Sequence, residues 1–546
     1  MKLCRVATCL FLVFSILPAT AQDRENYRGL LTQQVASDKL PSLQRLRDYV
    51  ADGKLRLGLR DAILLTLENN SAVRVQEAQV ETSKFALLGS YQPFDPKLES
   101  VFDVNRVSSP GFNELQGIGT SGNGTLNLLN QRAEVNYSQT LPTGTNIVIG
   151  LLSAKTSTNS SFYFFNPYFS STLNLRFTQP LLRNAWRFAN RAPLVIARRV
   201  LQQSRASFEA QVSDAILQVV TKYWAVVQAQ GDLEVERKSL EAADITYQSN
   251  KRALELGALP PLDIYRSESE VASRRVLMIR GEYALKRAED ELRRTIGADL
   301  DPYFHALDLD LTEKPDVEGE PKSIDVASAL GEALKQRPEL LAARYSLEND
   351  DTSIRLARNR LKPDLSLSGF YQSNGLGGNE FSLATGQLIS KAGLGASFHQ
   401  LFGFGFPGYG ATLTLNLPIK NRAAEAELGS ALVSRHRDMY SAQQLKEQVT
   451  LDVTNSIHQL EEAKLTLAAG RTALDLAQKV LAAEHRKYEL GVQPIFFILD
   501  AQTKLAQAQS DLLQAEINYR IAVAAVDHAT GGLLQPYHVQ VAELSQ

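Results

Sequence analysis

The sequence predicts a mixed α and β chain: long antiparallel helices of coiled-coil type, joined to amphipathic strands of a membrane β-barrel that several copies must share. Three observations lead there. The residue order is duplicated, two long segments carry helical spacing, and each half contains stretches in which apolar and polar residues alternate. Duplication is weighed first, because each copy must then build the same structural unit.

Shifted by 267 positions, residues 59–104 fall on 326–371 without a gap, placing Ala62, Leu67, Pro96 and Leu98 on Ala329, Leu334, Pro363 and Leu365. Shifted by 234 positions, KRALELGALPPLDIYRSE (251–268) falls on HRKYELGVQPIFFILDAQ (485–502). Arg252, Glu255, Leu256, Gly257 and Pro260 thereby match Arg486, Glu489, Leu490, Gly491 and Pro494, and the match continues to Gly297 and Gly531. The chain divides accordingly into 1–21, an N-terminal segment 22–57, a first repeat 58–297, a connection 298–323, a second repeat 324–531 and a tail 532–546.

Residues 1–21, MKLCRVATCLFLVFSILPATA, have a basic start, a short apolar core and Ala19-Thr20-Ala21 as a cleavage site, so they read as a secretory signal peptide. Both cysteines, Cys4 and Cys9, lie inside it and neither is at the cleavage point. No lipid anchor, disulfide or thiolate metal site is therefore expected in the exported chain. No later stretch has the length of about 18 apolar residues that a transmembrane helix needs, which leaves a soluble exported protein or a β-barrel. The formal net charge of −2 gives no basic field for nucleic acid.

Each half opens with a helical segment (58–92; 325–361), passes through a β-rich region and enters a very long helix (190–256; 422–489). A Gly-x-x-Pro break follows, and then a second helix (261–297; 495–531). Ile216, Val219, Val220, Tyr223 and Val227 show the spacing of one helical face. Laid end to end, the two shorter helices match the long one, which predicts a tall antiparallel cylinder of roughly 100 Å at 1.5 Å per residue. Taken alone, the helices also fit a solvated bundle or filament.

The strands argue for the membrane. Ala133, Val135, Tyr137 and Leu141 alternate with Glu134, Asn136, Ser138 and Thr140, and Leu173, Leu175 and Phe177 alternate with Asn174, Arg176 and Thr178. In the second half Leu365 and Leu367, and Leu413, Leu415 and Leu417, show the same pattern. One apolar and one polar face suits a barrel with a wet lumen, although a soluble sheet with one covered face reads alike. Aromatic runs, Phe162 to Phe169 and Phe398 to Tyr409, precede a returning strand in each half, as an interfacial girdle would. About four strands per copy cannot close a barrel, since the smallest membrane barrels have about eight, so copies must pool them. A further alternating stretch at 132–152 leaves two readings open, an additional barrel hairpin or an extracellular flap.

The chain resembles the TolC-type outer membrane efflux proteins over about 58–531. The residues that carry the resemblance are LRLGLRDAILLTLENN (55–70), the strand exits QPLLRN (179–184) and LPIKN (417–421), and YELGVQPIFFILDAQTKLAQAQ (488–509) with Asn518-Tyr519 beyond it. The resemblance implies a homotrimer in which each protomer gives four strands to a shared 12-stranded outer-membrane barrel and its helices to a periplasmic tunnel. It implies a periplasmic adaptor, an inner-membrane pump of the RND, ABC or MFS type and outer-membrane lipid as partners, and no nucleic acid, cofactor or metal. The two breaks correspond to the turns where an adaptor hairpin docks, with Gly257, Gly491, Pro260 and Pro494 as the docking residues. Glycine permits positive φ and close approach, and proline restarts a helix where a missing N–H does no harm. A plain helical hairpin needs the same residues for its own geometry.

The resemblance also places a periplasmic gate just past the second break. Phe497 and Asp500 occupy two positions that are acidic in the family, three apart and so on one helical face. The family's latching arginine is matched by Gln493, and its partners by Asp263 and Tyr488. An aperture held more by apolar contact than by a salt bridge is therefore expected. The plainer reading of Asp500 is a surface pair with Lys504, four residues on.

Enzyme chemistry is not expected. The seven histidines show no ligand spacing, and no nucleophile-elbow, Walker or dinucleotide motif appears. The competing functions are a soluble periplasmic coiled-coil adaptor or scaffold and a passive outer-membrane porin.

Overall fold

The computed structural model describes residues 44–110, 124–160, 163–256, 261–299, 301–317, 324–382, 384–490 and 492–539. A strand pair, β1 (Val50–Ala51) and β2 (Lys54–Leu57), precedes helices α1 (Leu59–Asn69) and α2 (Ser71–Gly89). Strands β3 (Lys97–Pro110), β4 (Thr125–Thr140), β5 (Asn146–Thr158) and β6 (Phe165–Pro180) follow, then α3 (Trp186–Glu255), α4 (Pro261–Thr295) and β7 (Asp308–Leu311). The second half runs α5 (Val326–Gln336), α6 (Pro338–Arg360), β8 (Asp364–Phe381), β9 (Leu388–Lys391), α7 (Leu394–Phe402), β10 (Pro407–Asn416), α8 (Arg422–Glu489) and α9 (Phe496–Thr530). Two compact units result: one joins the chain up to Thr82 with Gln202–Arg344 and Ser441 onward, the other joins Ser83–Leu201 with Tyr345–Tyr440.

The long helices α3 and α8 and their partners α4 and α9 lie within about a turn of the expected bounds. The opening helices do not. Each of 58–92 and 325–361 is two helices, broken by extended backbone at Asn70 and Arg337. The Asn70 side chain accepts hydrogen bonds from the amides of Ala72 at 2.9 Å and Val73 at 3.4 Å, so it caps α2 instead of continuing α1. In the second half Pro338 does this work: proline disfavours helical backbone in the residue before it and fits the first turn of a new helix. Arg337, itself buried, pairs with Glu339 at 3.0 Å and Asp452 at 3.5 Å.

In the first unit, Val449, Val453, Ile457 and Leu460 of α8 pack with Ala515, Tyr519, Ala522 and Val526 of α9, and with Ala329 and Ala333 of α5. Steps of three and four residues keep these side chains on one face, and burying each Val, Leu or Ile contributes about 1.5–3 kcal/mol. The connection predicted at 298–323 is tied down over its described residues. Its strand β7 pairs in parallel with β2, giving a sheet of order β1-β2-β7. Buried Tyr223 of α3 donates to the Leu57 carbonyl and accepts from the Glu313 amide, both at 3.2 Å, and burial raises its hydroxyl pKa to about 12. Arg471 and Arg520 donate to the carbonyls of Val317 and Asp316 at 2.7 and 2.6 Å.

Helices α4 and α9 both stop at a left-handed glycine, Gly297 with φ +73° and Gly531 with φ +82°. A Cβ on Gly297 would stand 2.7 Å from the Cβ of Asn69, and one on Gly531 3.2 Å from the carbonyl carbon of Gln336. Gly297→Ala and Gly531→Ala are each expected to cost about 1–2 kcal/mol, with the larger loss at Gly297. Thermal midpoints of the purified variants check this; an unchanged midpoint at Gly297 would show that the α1–α2 corner yields freely.

The second unit is built on a sheet of order β10-β8-β6-β5-β4-β3, with the short β9 added to β8. It holds more strands than the four expected, because β4 and β5, which contain the ambiguous 132–152 stretch, are ladder strands between β3 and β6. Alternation is what a strand with one apolar face requires, and here it continues its neighbours' faces. Leu98, Tyr137, Ile149, Leu175, Tyr371 and Tyr409 stand level on one face. One residue along each strand, Glu99, Asn136, Gly150, Asn174, Gln372 and Gly408 stand level on the other. The apolar face is open: Phe102 is 70% and Tyr409 79% exposed.

Helix α7 covers that face where it turns small. Ser397 of α7 donates to Ser171 at 2.5 Å, and Ser373 donates to the Leu401 carbonyl at 2.6 Å. A Cβ on Gly375 would collide with the Ser397 carbonyl, so glycine is what lets the helix approach. Phe398 and Phe402, from the aromatic run expected to form a girdle, lie on this helix, stacked at 6.2 Å.

Candidate channel entrance

The entrance predicted from sequence belongs to the first unit. Gly257, Pro260 and Gly491 lie outside the described residues, as does the side chain of Asp263. Helix α8 ends with the Val492 amide bonded to the Lys487 carbonyl at 3.1 Å, and α9 starts as Phe497 and Ile498 donate to the carbonyls of Pro494 and Ile495. Exposed Pro494 thus sits where its missing N–H is not needed.

Burial sets the orientation of the first turns of α9. Ile495, Ile498 and Ala501 are buried, which turns Phe496 and Phe497 outward as a perpendicular aromatic pair 5.5 Å apart. Asp500 accepts from Lys504 at 2.7 Å, with side chains 43% and 69% exposed. Gln493 and Tyr488 are half-buried, and among the described residues neither side chain has a hydrogen-bond or ion partner. The latch positions therefore carry no ion pair among the described residues.

A cation that sequence reasoning passed over lies deeper. Arg274 of α4 is buried; its Nε donates to Glu270 at 2.7 Å and its other end donates to the Thr503 hydroxyl on α9. Glu236 of α3 stands within its field. Burial pushes the Glu236 carboxyl above its ordinary value, Arg274 opposes that push and Asp232 adds to it. One Glu236 oxygen is buried with no hydrogen-bond partner. Arg274 thus relates three helices just beyond the aromatic pair. Nearer the break, Asn250 donates to Ser267 at 2.6 Å, both residues buried, and ties α3 to α4. An open groove of about 560 Å³ runs between α4 and α9, lined by Tyr265, Glu270, Phe496, Leu499, Asp500 and Thr503. In sequence the only hint of Arg274 was a Glu–Arg pair four residues apart within a highly charged helix.

No helix among the described residues is long and apolar enough to cross a membrane. The combination of long helical hairpins with an antiparallel sheet of one open apolar face is the fold of outer-membrane channels. The CmeC channel of Campylobacter jejuni superposes with a TM-score of 0.61 at 13% identity, covering 93% of this chain and 92% of that one. The open state of the MtrE channel of Neisseria gonorrhoeae gives 0.58 at 16% identity, covering 87% and 89%.

The chain belongs to the outer membrane efflux protein family, whose pattern matches residues 144–298 and 329–532. It is similar to outer membrane protein TolC of Vibrio cholerae, 24% identical over 361 residues that cover 66% of this chain and 76% of the relative. It is also similar to alkaline protease secretion protein AprF of Pseudomonas aeruginosa, 23% identical over 382 residues covering 69% and 73%.

Proposed function

We propose that the protein is the outer-membrane exit channel of a tripartite efflux or type I secretion system. Three copies, exported by the 1–21 leader, insert their sheets into the outer membrane and keep their duplicated helices in the periplasm. A periplasmic adaptor docks on the turns at Gly257, Pro260, Gly491 and Pro494, and an inner-membrane pump supplies the energy. The observation that carries this reading is the sheet: an apolar face that continues from strand to strand, open apart from the part under α7 and opposite a polar one, is a surface for lipid around a wet lumen. Relatives named for toluene efflux and for protease secretion support exit as the shared role, with cargo chosen elsewhere.

In this reading Phe497 and Asp500 face the threefold axis, and Gln493, Tyr488 and Asp263 flank them. The Asp500–Lys504 pair does not oppose it, since so exposed a pair is worth only a few tenths of a kcal/mol and leaves the carboxylate free to turn. Expression of the full chain in a Gram-negative host, followed by membrane separation and unheated gels, tests the assignment. A heat-sensitive trimer in the outer-membrane fraction is expected, with low resting conductance in planar bilayers. Recovery from the soluble periplasm would instead indicate an adaptor or scaffold, and a high resting conductance a passive porin.

A further inference from the structure

We infer that the trimer closes an 18-stranded barrel, not the 12-stranded one that four strands per copy would give, and that the seam joins β3 of one copy to β10 of the next. This rests on the proposed outer-membrane trimer and concerns how it is built. Among the described residues the sheet ends at β3 on one side and β10 on the other, and both strands are exposed over almost their whole length. An edge strand exposes a row of unpaired N–H and C=O groups, which cannot stand in lipid. Something must cover both edges.

A second copy of this chain fits on four counts. First, every step from β10 through β8, β6, β5 and β4 to β3 is antiparallel, so β10 and β3 run in opposite directions. Placing one copy's β3 beside another's β10 therefore continues the antiparallel ladder without a fault, and an even number of strands per copy keeps this true all round the ring.

Second, the hairpin β4–β5 cannot be a flap if its faces match those of its neighbours. Val135 and Tyr137, and Ile147, Ile149 and Leu151, lie on the same face as Leu173, Leu175 and Phe177, paired rung by rung. A flap over an aqueous mouth would have no need of that match.

Third, the apolar band slants. Leu98 and Tyr409 mark one level row, yet on β3 the apolar residues run outward from it as Leu98, Phe102 and Val104. On β10 they run the opposite way, as Tyr409, Leu413 and Leu415. To keep the band level in a bilayer, Val104 must stand opposite the next copy's Tyr409, and Leu98 opposite its Leu415. That offset is about one residue per strand, which at 3.3 Å per residue and 4.8 Å between strands tilts the strands by about 35°. Membrane barrels tilt by about 35–45°.

Fourth, this register needs no adjustment of length. It sets Lys97 opposite Asn416 and Arg106 opposite Pro407, so that all of β10 pairs with the first part of β3. Helix α7 fits the same slant, because it covers Ser171, Ser373 and Gly375, where the band has already left β6 and β8. The consequence for transport is a barrel about 1.5-fold wider than one of 12 strands, since diameter grows roughly linearly with strand number.

Disulfide trapping tests the seam in the full chain, whose two cysteines both lie within residues 1–21. Val101→Cys combined with Thr412→Cys places both thiols on the polar face at facing positions of the inferred ladder. Oxidation of outer membranes is expected to convert most of the chain to covalent dimers and trimers on non-reducing gels, reversed by thiol and absent in each single variant. Glu99→Cys with Thr412→Cys and Asp103→Cys with Thr412→Cys guard against a small error of register. A heat-sensitive outer-membrane trimer that crosslinks through none of these pairs, or a count of twelve strands in an electron cryomicroscopy map of the trimer, overturns the inference. Failure to form an outer-membrane trimer at all, in the unmodified chain, removes the proposed function instead.

Discussion

Arg274→Ala is expected to loosen α4 from α9 and to lower stability by about 1–3 kcal/mol, less than the full penalty for breaking a buried ion pair because Glu270 is partly solvated. The loss has a sign in pH. Burial raises the Glu236 carboxyl and Arg274 is the cation that restrains it, so without Arg274 its folded-state pKa climbs further above the unfolded one. A carboxyl raised in this way destabilises the fold at pH above its folded pKa and ceases to do so as pH falls toward the unfolded value. The deficit of Arg274→Ala is therefore expected to be larger at pH 8 than near pH 5, and Glu236→Gln in the same chain should recover part of it. Urea midpoints at the two pH values measure both effects. Equal deficits with no recovery would show that Arg274 acts through packing of its stem alone. Because Thr503 lies one turn beyond Asp500, the same variant is expected to raise leak conductance in bilayers.

Why Arg274 stayed hidden in the sequence is a matter of what sequence encodes locally. Within RSESEVASRRVLMIR four arginines have equal claim to solvent, and only the packing of α3, α4 and α9 selects which one is buried. Phe497 and Asp500 were singled out by the family resemblance, which places a gate just past the second glycine-proline break. The helix ends were legible locally: Gly297 and Gly531 are left-handed caps whose conformation glycine adopts at little cost. The breaks at Asn70 and Arg337 were weaker signals, since an asparagine inside a helical pattern, or a proline after an arginine, competes with apolar periodicity that runs through both sites. In the sheet, alternation identified β4 and β5 as strands with one apolar face, but strand order and register are tertiary. Only the pairing of Tyr137 with Ile149, and of Ile149 with Leu175, puts the hairpin in the same ladder as the rest.

Phe497→Asp is expected to raise the open probability of the channel roughly tenfold. Withdrawing a largely apolar contact worth about 1–3 kcal/mol from the closed state changes the closed-to-open ratio by that order. Two further variants separate gate from surface. Asp500→Ala removes one carboxylate per copy from the proposed ring and leaves Lys504 without its 2.7 Å partner, so selectivity should move toward anions. Lys504→Ala should move it the other way, because it unmasks the carboxylate. If Asp500 and Lys504 are only an exposed helix pair, neither variant shifts the reversal potential under a salt gradient, and each costs a few tenths of a kcal/mol at most. Unchanged conductance in both Phe497→Asp and Asp500→Ala would remove these residues from the aperture. The exposed pair of Phe496 and Phe497 is the reason to expect otherwise. On one chain the two rings, 51% and 41% exposed at the start of a helix, leave apolar surface facing outward, and a threefold axis is where such surface would be covered.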